Sequence, residues 1–214
     1  MIKTLLFDFG DVFINLDKEA PMIEMKKLGI HSFSNEMMEI NNQYETGKLG
    51  TTQFLEWYHK AVPHRSKKQL TDAWNSIILT FPEYRLKFLE DIANSKKYQL
   101  ILLSNTNDLH IEKVIENMTL KRYNRFKNCF GAFYFSQEIH LRKPNPDIYE
   151  FVLNSHNINP NECLFIDDTK ENTETAKALG IHTWNIIPKK EDVVDLFKTK
   201  KALFQNSYYI TQNF

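Results

Sequence analysis

Apolar and polar residues alternate in two different ways along this chain. Over residues 15–81 the apolar positions recur at helical spacing, as in Leu70 and Trp74, and no segment has a convincing strand pattern. After residue 81, helical segments alternate with short apolar runs, which predicts a parallel sheet with right-handed crossover helices. The expected fold is therefore α/β: a doubly wound, Rossmann-like core over residues 1–14 and 82–214, with a small all-helical domain inserted over residues 15–81.

The same periodicities predict the individual elements. Strands are expected over residues 2–7, 99–104, 132–135, 163–167 and 182–186. Helices of the core are expected over residues 83–94, 109–118, 146–154 and 170–179.

Polar side chains follow several of these apolar runs directly. Asp8 follows the first run, Ser104 ends the second, and Asp167 and Asp168 end another. Because the ligand crevice of an open α/β sheet lies at the carboxyl ends of its strands, we expect these groups to converge there. Lys143, in an Arg-Lys-Pro segment, is the candidate cation of this site.

Composition and charge limit the classes of function. A chain of 214 residues with 42% apolar and 13% aromatic residues can fill a sizeable core. Lys plus Arg and Asp plus Glu both number 27, so the charge lacks the basic excess of a nucleic-acid-binding protein, and a small-molecule partner is expected. An acidic residue interrupts the first apolar run, and no later run approaches a membrane span, which predicts a cytoplasmic protein without a membrane partner. The pattern carries no indication of the oligomeric state.

Two features outside the expected site have simple interpretations. Cys129 and Cys163 lack metal-ligand spacing and are expected to be packing thiols in a reducing compartment. The aromatic tail over residues 203–214, with Tyr208, Tyr209 and Phe214, docks either on the core or on a partner, and the sequence favours neither alternative.

The order of the motifs resembles a known family. Asp8-Phe-Gly10, Ser104-Asn105, Lys143-Pro144 and Asp167-Asp168 follow one another with a cap-sized gap after the first, and the insert contains the segment Tyr-Glu-Thr-Gly-Lys-Leu-Gly-Thr-Thr-Gln-Phe at positions 44–54. In these respects the chain resembles the haloacid dehalogenase superfamily, specifically phosphatase-like members with a helical cap inserted after the first strand. The resemblance extends over nearly the whole chain.

The resemblance implies a magnesium-dependent phosphohydrolase that acts on small phosphorylated metabolites. Asp8 would attack phosphorus and form an aspartyl-phosphate intermediate. Lys143 would offset negative charge and orient Asp8, while Ser104 and the backbone amides near Asn105 would bind the phosphoryl oxygens.

The resemblance also implies the ligands of Mg²⁺. Asp8 and Asp168 would coordinate it directly, Asp167 would act through a bound water, and the backbone carbonyl of Gly10 would provide a further ligand.

The family pattern has a second aspartate, a general acid, at the position of Gly10. One explanation is that Asp11 takes its place. A second, which we favour, is a substrate with an acidic leaving group, such as a sugar 1-phosphate, because some members with glycine here resemble sugar-phosphate phosphatases. A third is a protein that binds a phosphorylated ligand with little or no turnover. A metal-independent 2-haloacid dehalogenase also lacks this aspartate, but Asp167 and Asp168 would then form an unneutralised pair beside an anionic substrate.

Substrate choice is expected to depend on the cap. Lys48 is a candidate substrate contact, and its alternative is a solvated loop lysine. His110, in the first turn of a helix after Ser104, is a second candidate, and its alternative is a surface or cap-facing position. Aromatic residues such as Trp57 and Trp74 could stack on a sugar, although their helical spacing is more typical of a cap core.

Overall fold

The computed structural model describes residues 1–205 and has a five-stranded sheet at its centre. All neighbouring strands are parallel, and their order across the sheet is β3-β2-β1-β4-β5. The strands are β1 (Thr4–Phe7), β2 (Gln99–Ser104), β3 (Ala132–Phe135), β4 (Cys163–Asp167) and β5 (His182–Asn185). The doubly wound α/β prediction is confirmed.

Helices occupy most of the chain between the strands. The first group, before β2, comprises α1 (Ala20–Leu28), α2 (Asn35–Glu45), α3 (Thr51–Ala61), α4 (Lys67–Asn75) and α5 (Glu83–Ser95). The second group comprises α6 (Asp108–Met118), α7 (Leu120–Lys127), α8 (Ser136–Ile139), α9 (Pro146–Ser155), α10 (Lys170–Ala178), α11 (Leu196–Thr199) and α12 (Lys201–Phe204). Short 3-10 helices lie at Pro160–Glu162 and Val193–Asp195.

The register of the sheet aligns the ends of its three central strands. Phe7, the last residue of β1, lies opposite Leu102 of β2 and Ile166 of β4. The backbone N–H of Asp8 continues the ladder by donating to the carbonyl of Ile166 at 2.9 Å. Since β2 and β3 lie on one side of β1 and β4 and β5 on the other, the switch point of the topology is at the end of β1, where Asp8 lies.

Apolar side chains cover both faces of the sheet. On one face, Leu5 and Phe7 pack with helices α5, α6 and α7. On the other, Leu6 packs with α9 and α10. This alternation along β1, every residue of which is buried, fixes the strand between two helical layers and keeps Asp8 at a rigid position.

Helices α1–α4 enclose a separate apolar cluster. Its buried members are Met25, Ile30, Tyr44, Phe54, Tyr58, Leu70, Ala73, Trp74 and Leu109, of which Leu109 belongs to α6 of the core. The two connecting segments pair with each other: Leu16 and Ile78 form an antiparallel bridge, and Asn15 N–H donates to the Thr80 carbonyl at 2.9 Å. These connections lie at the ends of the predicted insert and include a short extended pairing that the sequence pattern did not indicate.

The predicted strands and helices of the core are confirmed, with small changes at their ends. Three strands have the predicted bounds, whereas β1 begins at Thr4 and β5 ends at Asn185. Helices α7 and α8 were not predicted. The α7 sequence has apolar residues at helical spacing, at Leu120, Tyr123 and Phe126, which is a signal that the sequence interpretation missed, whereas α8 is only 4 residues long and too short to carry a periodic signal.

The two cysteines are free thiols, with Cys163 buried and Cys129 partly buried, as predicted. Leu203 and Phe204, at the start of the aromatic tail, pack against the core. The predicted positions Tyr208, Tyr209 and Phe214 lie outside the described residues. Within residues 1–205, no helix has the length and apolar character needed to cross a membrane.

Candidate active site

Asp8 lies at the carboxyl end of β1 and is 8% exposed. Its Oδ1 accepts a hydrogen bond from Lys143 Nζ at 2.7 Å. Burial raises the pKa of Asp8, whereas the positive charge of Lys143 lowers it. The carboxylate therefore depends on nearby positive charge to remain ionised.

Lys143 is almost completely enclosed, with 1% of its surface exposed. Its ammonium group donates to Asp8 Oδ1 at 2.7 Å, to Asp167 Oδ2 at 2.7 Å and to the Leu103 carbonyl at 2.8 Å. Burial lowers the pKa of Lys143, but the charges of Asp167 and Asp8 outweigh this effect and raise it. All three ammonium protons thus have acceptors, and the side chain is fixed between the two carboxylates.

The side chain of Asn105 holds the backbone of Lys143. Its Nδ2 donates to the Lys143 carbonyl at 2.8 Å, and its Oδ1 accepts from Lys143 N–H at 2.9 Å. This pair of bonds joins the end of β2 to the segment that carries the lysine. Ser104, which is buried at the last position of β2, lines a cavity together with Gly10 and Asn105.

Asp167 and Asp168 have different surroundings although they are adjacent. Asp167 is fully buried and accepts from Thr169 N–H at 2.7 Å and from Asn172 Nδ2 at 3.1 Å, besides its bond with Lys143. Asp168 is partly exposed and contacts Lys18 through Oδ2. The lone pairs of Asp167 are largely occupied by protein donors, whereas among the described contacts the carboxylate of Asp168 has the single donor Lys18.

The carboxylates of this cluster fit a divalent cation. Asp8, Asp167 and Asp168 each present an oxygen atom, and these atoms lie within 4.8 Å of one another. With Asp11, four carboxylates share the charges of Lys143 and Lys18, which leaves an excess of two negative charges. Oxygen ligands and this excess charge suit Mg²⁺.

Asp11 is held in the turn after β1 by its own hydrogen bonds. Its backbone is left-handed, with φ 52°, and its Oδ1 accepts from Leu16 N–H at 3.0 Å. Its other oxygen lies 3.5 Å from Lys18 Nζ. The carboxylate therefore stabilises the turn. That Asp11 takes the place of the absent general acid remains a prediction.

A cavity of about 120 Å³ lies between the core and the helical insert. Core residues Gly10, Ser104 and His110 line one side, and Glu45 and Ile78 line the other. This position, next to the strand ends, is where a ligand bound at Asp8 would extend toward the insert.

His110 lies in this cavity as a neutral ring. Its Nε2 faces the Trp74 carbonyl at 3.3 Å, and its Nδ1 faces the Asn107 Nδ2 donor at 3.0 Å. Burial lowers the pKa of His110 to about 4, although the Trp74 carbonyl opposes this change. Both nitrogens have protein partners, and the ring stacks on Trp74 with 5.3 Å between centroids.

The loop of the insert after α2 lies against the core. A Cβ atom on Gly47 would lie 2.1 Å from the carbonyl oxygen of Gln137, and its φ of +65° also favours glycine. The Thr46 carbonyl lies 2.8 Å from His140 Nδ1. Lys48, by contrast, is exposed and is not among the described residues that line the cavity.

Several side chains near the site had no recognisable signal in the sequence. Lys18 is a single lysine in a polar segment, Asn172 lies within a helix, and Glu45 ends another helix. Glu45 binds Arg142 Nη2 at 2.8 Å, next to Lys143 in the sequence. Only the structure identifies these residues: the partners of Lys18 and Glu45 are distant along the chain, and the contact of Asn172 with Asp167 depends on how α10 follows β4.

The aromatic residues of the insert belong to its interior. Tyr58 and Trp74 are buried, and Trp57 packs partly buried against them. Phe54 stacks on Tyr44 with 4.2 Å between ring centroids. These side chains therefore form the interior of the insert, as their helical spacing predicts.

Several known proteins are similar to this chain in sequence and structure. A model of the haloacid dehalogenase-like hydrolases matches residues 2–180. D-ribitol-5-phosphate phosphatase of Bacteroides thetaiotaomicron is 28% identical over 195 residues, which are 86% of this chain and 91% of that protein. A phosphorylated carbohydrates phosphatase of Thermotoga maritima is 28% identical over 129 residues, 59% of this chain and 53% of the other.

The solved structures include a magnesium complex of a HAD family enzyme from Bacteroides thetaiotaomicron. It superposes with a TM-score of 0.82 at 35% identity and covers 92% of this chain and 98% of its own. A HAD-like hydrolase structure from Porphyromonas gingivalis has a TM-score of 0.78 at 24% identity, covers 96% of this chain and 100% of its own, and supports the fold.

Proposed function

The chain belongs to the haloacid dehalogenase-like hydrolases as a phosphatase-like member, and from this premise we propose that it is a magnesium-dependent phosphohydrolase of sugar and sugar-alcohol phosphates. The observation that carries the proposal is the convergence of Asp8 and Asp168, which follow two neighbouring strands, with Lys143 from the segment before α9. The substrate class is suggested by the names of the two similar phosphatases.

In the proposed reaction, Asp8 is the nucleophile. Lys143 holds its Oδ1, which leaves the second oxygen to attack phosphorus and to form an aspartyl-phosphate as the substrate oxygen departs. Water then attacks the phosphorus and releases inorganic phosphate and the carboxylate. Ser104 and the amides near Asn105 bind the phosphoryl oxygens, and Lys143 offsets the negative charge that builds up in both steps.

Asp8, Asp168 and the carbonyl of Gly10 are the residues that would hold Mg²⁺, with Asp167 acting through a water. When bound, Mg²⁺ would supply positive charge that offsets repulsion between Asp8 and the phosphate. Asp167 has its oxygens bound to Lys143, Asn172 and the backbone, which supports its indirect role.

We further propose that helices α1–α4, over residues 15–81, act as a cap above a core of residues 1–14 and 82–214. The supporting observations are the paired connecting segments and the cavity that the insert forms with the core. Such a cap excludes water from the phosphoryl group and contributes side chains that select the substrate.

The test is phosphate release from sugar phosphates, sugar-alcohol phosphates and p-nitrophenyl phosphate, each with Mg²⁺ and with EDTA. Wild-type protein should require Mg²⁺, and Asp8→Asn should lose at least ~10³-fold in activity because it removes the attacking group. Asp72→Asn, at an exposed aspartate of the insert, is the matched control and should retain activity.

Three other results would contradict the proposed function. An Asp8→Asn variant as active as the wild type would show that the activity belongs to a contaminant. Mg²⁺ binding without turnover of any compound would favour a phosphate-ligand binding protein. Halide release from a 2-haloacid in the presence of EDTA would show a dehalogenase.

A further inference from the structure

The space beside Gly10 is filled by Leu16. A Cβ atom built on Gly10 would lie 2.7 Å from Leu16 Cδ1, 3.6 Å from Leu16 Cγ and 3.9 Å from Asp8 Oδ2. Gly10 is not among the described residues with a left-handed backbone, so its conformation does not by itself require glycine. What a side chain at this position would meet is the end of a leucine, next to the proposed nucleophile.

Hydrogen bonds of Leu16 and of its two neighbours hold its backbone in place. Its N–H donates to Asp11 Oδ1 at 3.0 Å, and it forms the antiparallel bridge with Ile78. On either side of it, Asp17 N–H donates to the Ile77 carbonyl at 2.9 Å and Asn15 pairs with the returning segment. The backbone of Leu16 is thus held where the insert joins the core, and the carboxylate of Asp11 accepts one of the hydrogen bonds that hold it.

Leu16 also forms a wall of the site. It lines the 120 Å³ cavity that contains Gly10 and Ser104. It also lines a cleft of about 460 Å³ on its other side, which Arg85 and Lys190 border. A leaving group that passes Gly10 therefore meets an apolar side chain.

The titratable residues of the cavity, among those described, are poorly suited to replace a missing acid. His110 is neutral and has both nitrogens engaged. Glu45 has a pKa that burial raises and the charge of Arg142 lowers only in part, but its Oε2 is already engaged by Arg142 Nη2 at 2.8 Å. Asp11 outside the cavity is occupied by Leu16 N–H and Lys18.

We propose that Leu16 is a specificity-determining residue, which keeps position 10 free of a side chain and makes the site select substrates with a weakly basic leaving oxygen. This inference rests on the proposed function. As Asp8 forms its bond to phosphorus, the bond from phosphorus to the leaving oxygen breaks, and that oxygen departs with the electron pair and takes a proton from water. The hydroxide so formed, or another water, attacks the aspartyl-phosphate and returns Asp8 as a carboxylate with hydrogen phosphate.

The chemical class that fits is a phosphate ester whose leaving oxygen tolerates negative charge. The anomeric oxygen of a sugar 1-phosphate belongs to this class, and so does the oxygen of an acidic phenol. A primary alcohol phosphate, the class to which sugar-alcohol phosphates such as D-ribitol 5-phosphate belong, is still a substrate under this proposal but is hydrolysed more slowly, because its alkoxide is more basic. Protonation by a positioned acid would remove this difference, and such an acid contributes ~10²–10⁴-fold in rate.

The experiment measures kcat/KM with Mg²⁺ for a series of aryl phosphates whose phenols differ in pKa, together with one alkyl phosphate. Wild type, Gly10→Asp, Leu16→Ala and the Gly10→Asp/Leu16→Ala double variant are compared. The wild-type rate should fall steeply as the leaving oxygen becomes more basic. The double variant should gain ~10²-fold in kcat/KM with the most basic leaving group, whose departure an acid assists. It should gain little with the most acidic leaving group, which departs without a proton.

Gly10→Asp alone should gain much less than the double variant, since Leu16 occupies the space of the new side chain. Gly10→Asp/Leu79→Ala is the matched control, because Leu79 borders the same cleft from the opposite segment without contacting Gly10. An equal gain from Gly10→Asp alone, or with Leu79→Ala, would overturn the role of Leu16.

A wild-type rate that is independent of the leaving group would show that the protein already supplies the proton, and this also overturns the inference. That measurement needs no variant and holds even if the double variant does not fold. Asp8→Asn is assayed on the same series to separate the two proposals. Activity that survives Asp8→Asn contradicts the proposed function itself, whereas a flat dependence that requires Asp8 contradicts only the inference about Leu16.

Discussion

At the scale of single residues, two carboxylates share the ammonium group of Lys143, at 2.7 Å from Asp8 Oδ1 and 2.7 Å from Asp167 Oδ2. Asn105 fixes the backbone of the same lysine. The position of positive charge in the site therefore depends on hydrogen bonds from β2 as well as on the carboxylates. Because Lys143 is buried, its removal has consequences for stability and for turnover alike.

Lys143→Met should lower the free energy of unfolding by about 3–5 kcal/mol, because it leaves two buried carboxylates without their counter-ion. It should also lower turnover by at least ~10²-fold, since charge that develops on phosphorus is no longer offset. Denaturant unfolding and phosphate release measure the two effects. Lys170→Met, at an exposed lysine paired with Glu174, is the control; a Lys143→Met variant as stable and active as this control would contradict the assignment.

His110 provides a pH-dependent test of the described contacts. Its pKa of about 4 in the folded state lies below the ordinary value of 6.5, so the neutral ring contributes stability that is present above pH 6.5 and is lost as pH falls toward 4. Between these values, wild-type stability should fall more steeply than that of His110→Leu, by up to about 1.4 kcal/mol per pH unit. Urea unfolding at several pH values measures the slopes, and NMR of the ring should show a midpoint near 4. A midpoint near 6.5 would contradict the buried neutral ring.

At the scale of secondary-structure elements, the insert has its own interior. Phe54 of α3 stacks on Tyr44 of α2 at 4.2 Å between centroids and contacts Trp74 of α4 at 4.9 Å. Three helices therefore meet at one ring. Leu109 of α6 also enters this cluster, so the first turn of a core helix helps to seat the insert.

Phe54→Ala should destabilise the protein by about 3–5 kcal/mol, because a fully buried aromatic side chain is replaced by a cavity. Thr52→Ala, at an exposed position of the same helix, should change stability by less than about 0.5 kcal/mol. Thermal and urea unfolding report both. If the two variants are equally stable, Phe54 does not support the interior of the insert.

At the scale of the whole molecule, two of the junctions between the insert and the core lie close to the site. The connecting segments pair through Leu16 and Ile78, and the loop after α2 lies on the core through Gly47, Glu45 and Arg142. Arg142 precedes Lys143, so the second junction ends next to the site. Its Nε is buried and has no protein partner in the described structure, which leaves Glu45 as the main acceptor for this side chain.

Glu45→Gln should weaken this junction and raise KM about tenfold or less, with a change in stability of no more than about 1 kcal/mol, because the pair is partly exposed. Hydrogen exchange over residues 44–50 should increase in the same variant, since the loop is less firmly held. Asp72→Asn removes an exposed ion pair within the insert and serves as the control. Unchanged exchange and KM in Glu45→Gln would show that the pair does not hold the loop on the core.

The sequence by itself determined the class of fold and the identity of the central carboxylates. Period-two and period-3.6 patterns report burial directly, so β2, β3 and β4 have their predicted bounds. Asp8, Asp167 and Asp168 were identified because an acid after a buried parallel strand lies at the crevice, and their oxygens lie within 4.8 Å of one another. Their catalytic and metal-binding roles stay predictions.

Only the tertiary structure decided how these groups are held and what surrounds them. The partners of Lys18 and Glu45 are far away in the sequence. Asn172 reaches Asp167 through a local turn that no periodicity encodes. The contact between Gly10 and Leu16 is of the same kind, because it depends on how a turn folds back on itself. Sequence patterns record which residues are buried, whereas selectivity depends on distances of a few ångströms between particular atoms, and these are fixed only when all the elements pack together.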